Sequence, residues 1–296
     1  MTTTDVAAPG PARTVAGPRV PAPVLVLGGV VSVQLGAALA KQLFPALGAA
    51  GTVTLRLVTG AALLWLVVRP TRRVLAGLDP RLTLAFGAVL ATMNLSFYLA
   101  LARIPLGVAV ALEFVGPLAV ALAGARRLRE FGAAALAAVA VLLLTGGAGV
   151  LGDSRLDPVG IGFALVAGVC WAGYILLSRR VGAATPGLAG LAGAATVAGI
   201  LLLPVGAVTA GTALIEPHAL ALGAAVGLLS AAVPYGLELV ALRTLPATTF
   251  AVLMSLEPAV GALAGFALLH EHLTVAEIAG VLGVCAASVT ATRSPR

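Results

Sequence analysis

Charged residues are scarce in this sequence: Asp, Glu, Lys and Arg together make up 10% of its 296 residues. A soluble domain normally carries about 25% charged residues, so the composition excludes a protein whose whole surface faces water. Hydrophobic residues make up 60%, and the mean hydropathy is +1.10. Hydrocarbon is therefore the expected surroundings of most side chains, and the predicted fold class is an all-α, polytopic membrane protein.

Cysteine and histidine are also rare, and this excludes several kinds of chemistry. Cys170 and Cys285 lie inside apolar runs, so they predict neither a disulfide framework nor a metal site. His270 and His272 flank Glu271, but the further ligands that a metal needs are not nearby in the sequence. No GxxxxGKS/T loop for nucleotide phosphates occurs. We therefore expect no catalytic residues, no metal, no cofactor and no ATP-driven transport by this chain alone.

Ten apolar runs approach the roughly 20 residues that a helix needs to cross a ~30 Å hydrocarbon core. The first 22 residues, rich in Pro, Thr and Ala, predict a disordered tail, and the first run is too long for the core of a cleaved signal peptide. The runs, named spans 1 to 10, are 24–43, 49–68, 82–101, 104–124, 132–150, 158–177, 187–208, 219–241, 246–269 and 274–291.

Cationic residues predict how these spans are oriented. Fourteen of the eighteen Lys and Arg residues flank one side of the predicted membrane, and no basic patch interleaved with aromatic residues suggests nucleic acid. The other side carries Arg103, Arg155 and, at a span end, Lys41, which is expected to be an interfacial anchor. Because cytoplasmic loops are enriched in Lys and Arg, both termini are predicted to be cytoplasmic.

Two matching segments lie 141 residues apart, which indicates two copies of one structural unit. Because each copy holds five spans, an odd number, the second must enter the membrane from the opposite face. We therefore predict two inverted five-helix repeats, an arrangement typical of transporters that alternate between two openings. The recurring residues are Pro105, Pro117 and Glu130, which return as Pro246, Pro258 and Glu271.

Three carboxylates fall inside spans, namely Glu113, Glu238 and Glu257. Placing an acid in hydrocarbon costs roughly 2.5–3.5 kcal/mol, so each needs a partner, a water-filled cavity or a proton. All three are candidates for binding a substrate ammonium or a coupling proton; the alternative is that each only bridges helices through hydrogen bonds. For Glu238, which precedes Arg243 by five residues, snorkelling to the cytoplasmic interface is equally open. Arg56, in span 2, is expected to snorkel or to pair with a carboxylate rather than to contact a ligand.

Few other polar or aromatic side chains occur in the spans, and those that do are candidates for lining a cavity. Interhelical hydrogen bonding is the alternative for the tyrosines. Proline inside a span removes a backbone hydrogen bond and predicts a kink. The lining candidates are Gln34, Asn94, Tyr98, Trp171, Tyr174 and Tyr235, and the predicted kinks are at Pro117, Pro234 and Pro258.

Several segments resemble the drug/metabolite transporter superfamily in its EamA-type branch, above all Leu256-Glu257-Pro258 followed by Glu271. The likeness is most specific to the bacterial threonine/homoserine exporter group. The segments that carry it are Ser32-Val33-Gln34, residues 39–45, 105–122 and 170–176, Val233-Pro234-Tyr235-Gly236-Leu237-Glu238, and residues 253–258.

The resemblance implies EamA-type repeats at 24–151 and 158–292 and an inner-membrane exporter of small amino acids driven by proton antiport. Its partners would be a small-molecule substrate, protons and membrane lipid. A broader metabolite or drug exporter of the same fold is the alternative. A membrane enzyme would need a clustered catalytic set that the spans lack, and a purely structural protein would have no reason to keep three acids in its spans.

Overall fold

The computed structural model describes residues 20–123, 128–144, 156–185, 188–242 and 244–292, and every regular element within them is helical. This confirms the predicted all-α class for those ranges. Most of the predicted tail (1–22) and the predicted end of span 5 lie outside them. The helices are α1 Ala22–Val68, α2 Arg72–Ala76, α3 Pro80–Leu101, α4 Leu106–Glu113, α5 Val115–Leu122, α6 Leu128–Leu144, α7 Pro158–Ala184, α8 Ala189–Ala210, α9 Pro217–Gly227, α10 Val233–Ala241, α11 Ala247–Met254, α12 Glu257–Leu269 and α13 Val275–Thr292.

Six helical stretches of the described residues are long enough and apolar enough to cross a membrane, and three shorter apolar helices accompany them. The six are Ala22–Val68, Pro80–Leu101, Pro158–Ala184, Ala189–Ile215, Pro217–Glu238 and Thr249–Leu269. The shorter three are Leu106–Leu122, Glu130–Leu144 and Val275–Ala291. The chain is therefore a multi-pass membrane protein by length and composition.

Helix α1 folds back at Gly48, which has φ 65° and ψ 171°. A straight helix of 47 residues would be about 70 Å long, more than twice the hydrocarbon thickness. The first half of α1 (22–47) packs antiparallel to residues 229–238. The second half (49–68) packs parallel to residues 223–231, so the two halves of α1 run in opposite directions. The contacts are Gly36 on Ser230 and Gly28 on Leu237 in the first half, and Leu55 on Gly223 and Gly60 on Ala231 in the second.

Helices α3 and α7 begin in the same way, with an aspartate followed by proline. The Asp79 carboxylate accepts the backbone N–H groups of Arg81 and Leu82, and the Asp157 carboxylate accepts that of Val159. These caps satisfy N–H groups that lack partners in the first helical turn. The caps fix where the two helices start, and so the register of the polar residues they carry.

Spans 4 and 9 are each interrupted near their middle. Span 4 divides into α4 and α5 at Phe114, three residues before Pro117. Span 9 divides into α11 and α12 at residues 255–256, immediately before Glu257 and Pro258. Proline cannot donate the backbone bond to the residue four positions earlier, so each interruption has a local cause. The two breaks lie at corresponding positions of the 141-residue repeat.

Span 8 contains a different irregularity, a π-helical segment at Leu228–Ala232 that ends two residues before Pro234. The wider turn ends with the Val233 N–H donating to the Leu228 carbonyl, a bond that skips five residues. The Leu229 carbonyl also accepts the Ser32 hydroxyl at 2.7 Å. The side chains of this segment, including that of Ser230, therefore point in different directions from those they would have in a regular α-helix.

Glycine allows span 4 to cross α7 with backbone against backbone. A Cβ on Gly116 would overlap the Gly168 carbonyl, and a Cβ on Gly168 would lie 2.8 Å from the Glu113 carbonyl oxygen. The Glu113 carbonyl is the group that Pro117 leaves without its usual helical donor. The break in span 4 and its closest helix contact thus coincide, beside a buried acid.

Candidate functional site

A cavity of about 60 Å³ lies between α3, α8, the second half of α1 and the π-helical segment with α10. Its walls are mostly Leu, Ala and Gly, and its polar lining consists of Arg56, Asn94, Ser230 and Tyr235. A single water needs roughly 10–15 Å³ of such space, so the cavity is large enough for about four waters. Four waters occupy about 120 Å³ as liquid, which suits a small polar solute rather than a bulky one.

Arg56 is the charged residue of this cavity. One of its terminal nitrogens donates to the Asn94 side-chain oxygen. The guanidinium carbon lies 5.7 Å from the centre of the Tyr98 ring, a cation–π distance. The Arg56 Nε is buried and has no hydrogen-bond partner among the described residues. The structure thus places Arg56 against neutral groups, where the sequence favoured a carboxylate partner or snorkelling.

The orientation of Asn94 is fixed from within its own helix. Its side-chain nitrogen donates to the Leu90 carbonyl at 2.8 Å, which leaves its oxygen facing Arg56. Tyr98, one turn further along α3, is packed between Phe44 and Phe97, with ring centres at 6.0 and 6.3 Å. The Tyr98 hydroxyl is buried without a partner among the described residues. Both neighbours of Arg56 are therefore held in place by other contacts.

Of the six lining candidates, Asn94 and Tyr235 border this cavity. The other four do not border it. Tyr174 packs on Phe86 with ring centres 5.0 Å apart and ring planes tilted by 31°, and it lies near Tyr235. Trp171, one turn earlier in α7, meets Phe114 edge-on at 5.4 Å. The shared face of α7 thus packs one aromatic ring near the cavity and the other on the break in span 4.

Glu257 and Gln34 form a buried polar pair between spans 9 and 1. The Gln34 side-chain nitrogen donates to Glu257 Oε1 over 3.4 Å, a long bond. Gln34 Oε1 and Glu257 Oε2 are both buried and have no partner among the described residues. A proton on Glu257 would turn one of its oxygens into a donor and remove a buried negative charge.

The other two intramembrane acids lie in different surroundings. Glu113 is 8% exposed at the end of α4 and within electrostatic range of both Glu257 and Arg56. Glu238 packs over Gly29 at the start of span 1, with its carboxylate oxygen 3.7 Å from where a Cβ would stand. None of the three acids borders the cavity that holds Arg56. The acids and the guanidinium are thus separate parts of one polar interior.

Lys41 and Glu271 join α1 to the end of α12 and the start of α4, an arrangement that the sequence did not predict. Lys41 Nζ lies 2.5 Å from Glu271 Oε1, and Glu271 Oε2 accepts the Leu106 N–H at 2.7 Å. His270 ends α12 in the left-handed conformation with φ 54°, which turns Glu271 toward the start of α4. Lys41 is therefore an ion-pair partner, not simply an interfacial anchor. No residue spacing signals this contact, because its partners lie 165 to 230 residues apart.

A second, exposed ion pair joins the end of α3 to the start of α7. Arg103 donates to Asp157 at 2.8 Å. That hydrogen bond holds the pKa of the Asp157 carboxyl below its ordinary value. No group of three metal-ligating side chains occurs among the described residues.

The chain is similar to known proteins over nearly its whole length. Residues 158–293 match the EamA-like transporter family. The threonine/homoserine exporter RhtA of Salmonella typhimurium is 45% identical over 278 residues, 93% of this chain and 92% of that protein. RhtA of Escherichia coli is 44% identical over 275 residues, 92% of each chain. A solved crystal structure, 18% identical, superposes with a TM-score of 0.60 over 91% of this chain and 96% of the other, a likeness of fold.

Proposed function

The chain belongs to the EamA-like transporter family, and from this premise we propose that it exports threonine, homoserine or similar small amino acids across the inner membrane by proton antiport. The observation that carries the proposal is the 45% identity, over 93% of the chain, to proteins named as threonine/homoserine exporters. The cavity supports it, because its size and its few polar groups suit a small zwitterion.

We propose further that the ten spans form two inverted repeats. Three pairs of spans that correspond in the 141-residue repeat meet in antiparallel order, as a two-fold axis in the membrane plane requires. Span 2 meets span 7, span 4 meets span 9, and span 5 meets span 10. The supporting contacts are Thr54 on Gly206 and Val58 on Gly199, Leu106 on Gly265 and Val110 on Gly261, and Ala140 on Gly283 and Leu144 on Gly280.

Alternating access follows from that proposal, since exchanging the conformations of the two repeats moves the opening to the other face. On the predicted orientation, Lys41 and Glu271 lie at the outer end of spans 1 and 9. The cavity reaches Leu64 and Leu191, which lie toward the cytoplasmic ends of spans 2 and 7. The conformation is then closed outside, with its cavity on the cytoplasmic half, where an exporter receives its substrate.

Coupling to protons is assigned to the intramembrane acids, with Glu257 as the first candidate. Its Oε2 is buried without a hydrogen-bond partner among the described residues, so this oxygen can carry a proton. Glu113 lies within electrostatic range of Glu257, so a change of charge on one acts on the other. Export would then proceed by exchange of the substrate for a proton that returns to the cytoplasm.

Counterflow in proteoliposomes tests the proposal. Liposomes holding the purified protein and unlabelled threonine should take up labelled threonine, and homoserine should compete; protein-free liposomes give the background. An imposed pH gradient should drive accumulation of threonine above the exchange level. Absence of exchange with every amino acid of a broad panel would overturn the assignment, and exchange without any response to the gradient would remove proton antiport.

A further inference from the structure

We infer that Arg56 is the residue that binds the carboxylate of the transported amino acid. The inference rests on the proposed export of amino acids and names the group that recognises the acidic end common to them. The inference concerns one residue and one group of the substrate. It can therefore be wrong even if the protein exports amino acids.

The first observation is that no carboxylate of the described residues forms a close ion pair with Arg56. The ion pairs in which both partners are described are Lys41 with Glu271 and Arg103 with Asp157. Arg56 is instead held by the amide oxygen of Asn94 and the ring face of Tyr98, which are both neutral. A charge inside a membrane protein is costly unless it is paired or faces a polar cavity. An anion in the cavity would supply the missing partner.

The second observation is the unused hydrogen-bonding capacity of the guanidinium. Arginine has five N–H donors and no acceptor. The structure gives one of them to Asn94, and the buried Nε–H has no acceptor among the described residues. A planar guanidinium can bind both oxygens of a carboxylate with two parallel hydrogen bonds. A carboxylate is thus the ligand group that matches these open donors.

The third observation is that the guanidinium is held in place before any ligand arrives. The bond from Asn94 to the Leu90 carbonyl fixes the amide, and Phe44 and Phe97 pack against the Tyr98 ring. Holding a binding group in its bound geometry lowers the entropy lost on binding. A side chain that served only helix packing would not need to border the cavity, as Arg56 does.

The ammonium group of the substrate would be bound by the intramembrane acids. The carboxylates of the interior lie outside this cavity lining, and Glu113 is within electrostatic range of Arg56. A zwitterion with its carboxylate on Arg56 would therefore place its ammonium toward the acids proposed to exchange protons. The carboxylate and the ammonium of the substrate would then bind to different residues, the carboxylate to Arg56 and the ammonium to the acids.

The test compares threonine with threoninol, which keeps the ammonium and the hydroxyl but has no carboxylate. Affinities are measured by isothermal titration calorimetry on purified wild type, Arg56→Gln and Arg103→Gln. Arg103 is the matched control, since it is an arginine in an exposed ion pair away from the cavity. Wild type and Arg103→Gln should prefer threonine by about 10- to 100-fold, the range of a hydrogen bond to a charged group. Arg56→Gln should bind both ligands alike, and threoninol as tightly as wild type does.

Three results would overturn the inference: a wild type that binds both ligands equally, an Arg56→Gln variant that keeps the preference, or a variant that loses both ligands in parallel. If Arg56→Gln does not fold, Arg56→Lys replaces it; this variant keeps the charge but lacks the planar pair of donors. It should show a reduced preference, and an unchanged preference counts against the inference. Failure of the proposed function looks different, because wild type would then exchange no amino acid.

Discussion

At the scale of single residues, the buried acids differ in what surrounds them although all three are glutamates. Glu257 has one long hydrogen bond and one unpartnered oxygen, Glu113 lies at a helix break, and Glu238 packs over a glycine. Sequence alone placed all three in spans and set only Glu238 apart, by its nearness to Arg243, because any further distinction depends on partners from distant spans. The partner of Glu257, for example, is 223 residues away.

Glu257→Gln should abolish transport driven by a pH gradient. The substituted amide still accepts the Gln34 bond but cannot exchange a proton, so threonine exchange without a gradient should persist. The measurement is threonine accumulation in proteoliposomes with and without an imposed gradient. The matched control is Glu216→Gln, an exposed glutamate before α9. A variant with the pH response of wild type would remove Glu257 from the coupling step.

At the scale of helices, backbone contacts at glycines determine how closely spans approach. Gly168→Ala should destabilise the protein, because the added methyl group would lie 2.8 Å from the Glu113 carbonyl oxygen. Overpacking of this kind typically costs about 1–3 kcal/mol. The measurement is the midpoint of thermal unfolding in detergent.

The matched control for that substitution lies in the same helix. Gly162 is exposed and has nothing within 4 Å of a new Cβ. Gly162→Ala should leave stability unchanged or raise it by up to about 1 kcal/mol, since alanine favours helix more than glycine does. Equal melting temperatures for the two variants would show that the crossing of span 4 with α7 is looser than described.

Glu271 performs two tasks at a junction of helices, and two substitutions separate them. Glu271→Gln keeps an oxygen for the Leu106 N–H but loses the ion pair with Lys41, whereas Glu271→Ala loses both. Leaving a buried donor unsatisfied costs about 1–3 kcal/mol, so the alanine variant should unfold at the lower temperature. Lys41→Met, which removes only the ammonium, should match Glu271→Gln. Equal stability of the glutamine and alanine variants would count against a capping role.

The helices that the sequence predicted well are those whose first or last residues are marked by neighbouring residues in the sequence. Span 3 was predicted at 82–101 and α3 is Pro80–Leu101, while span 6 was predicted from 158 and α7 starts at Pro158, where aspartate and proline mark the start. The end of α7 at Ala184 was missed by seven residues, because Arg179 and Arg180 extend the helix beyond the apolar run. The π-helical segment has no local signal apart from Pro234. Its shape also depends on packing against span 1.

At the scale of the whole molecule, the distribution of charge predicts an orientation that labelling can test. In a background with Cys170 and Cys285 replaced by alanine, His272→Cys should react with a membrane-impermeant maleimide in intact cells. Leu75→Cys should react only after the membrane is opened, because it follows span 2 among the arginines of the predicted cytoplasmic side. Both positions are exposed. The opposite labelling pattern would reverse the predicted topology and, with it, the assignment of the cavity to the cytoplasmic half.

The sequence repeat led to a prediction about the architecture but gave no information on the surroundings of Arg56. Residues 141 positions apart indicated two copies, and their breaks at Phe114 and Ser255 keep that spacing. Arg56 and Asn94 have no such relation, since they meet because two spans of one copy pack together. Hydrophobic runs identify helices, but they do not indicate which helix faces pack together. The neutral surroundings of Arg56 could therefore be recognised only from the folded structure.

The turn at Gly48 bears on how a saturation mutagenesis survey of this protein should be read. Gly48 is exposed, and a Cβ there would touch nothing within 4 Å, yet its dihedral angles fall where only glycine is comfortable. Every L-amino acid at that position would strain the backbone by about 1–3 kcal/mol. Gly48 would thus score as intolerant beside Arg56, although it is not among the cavity-lining residues. A D-alanine introduced by semisynthesis would distinguish the two positions by restoring function at Gly48.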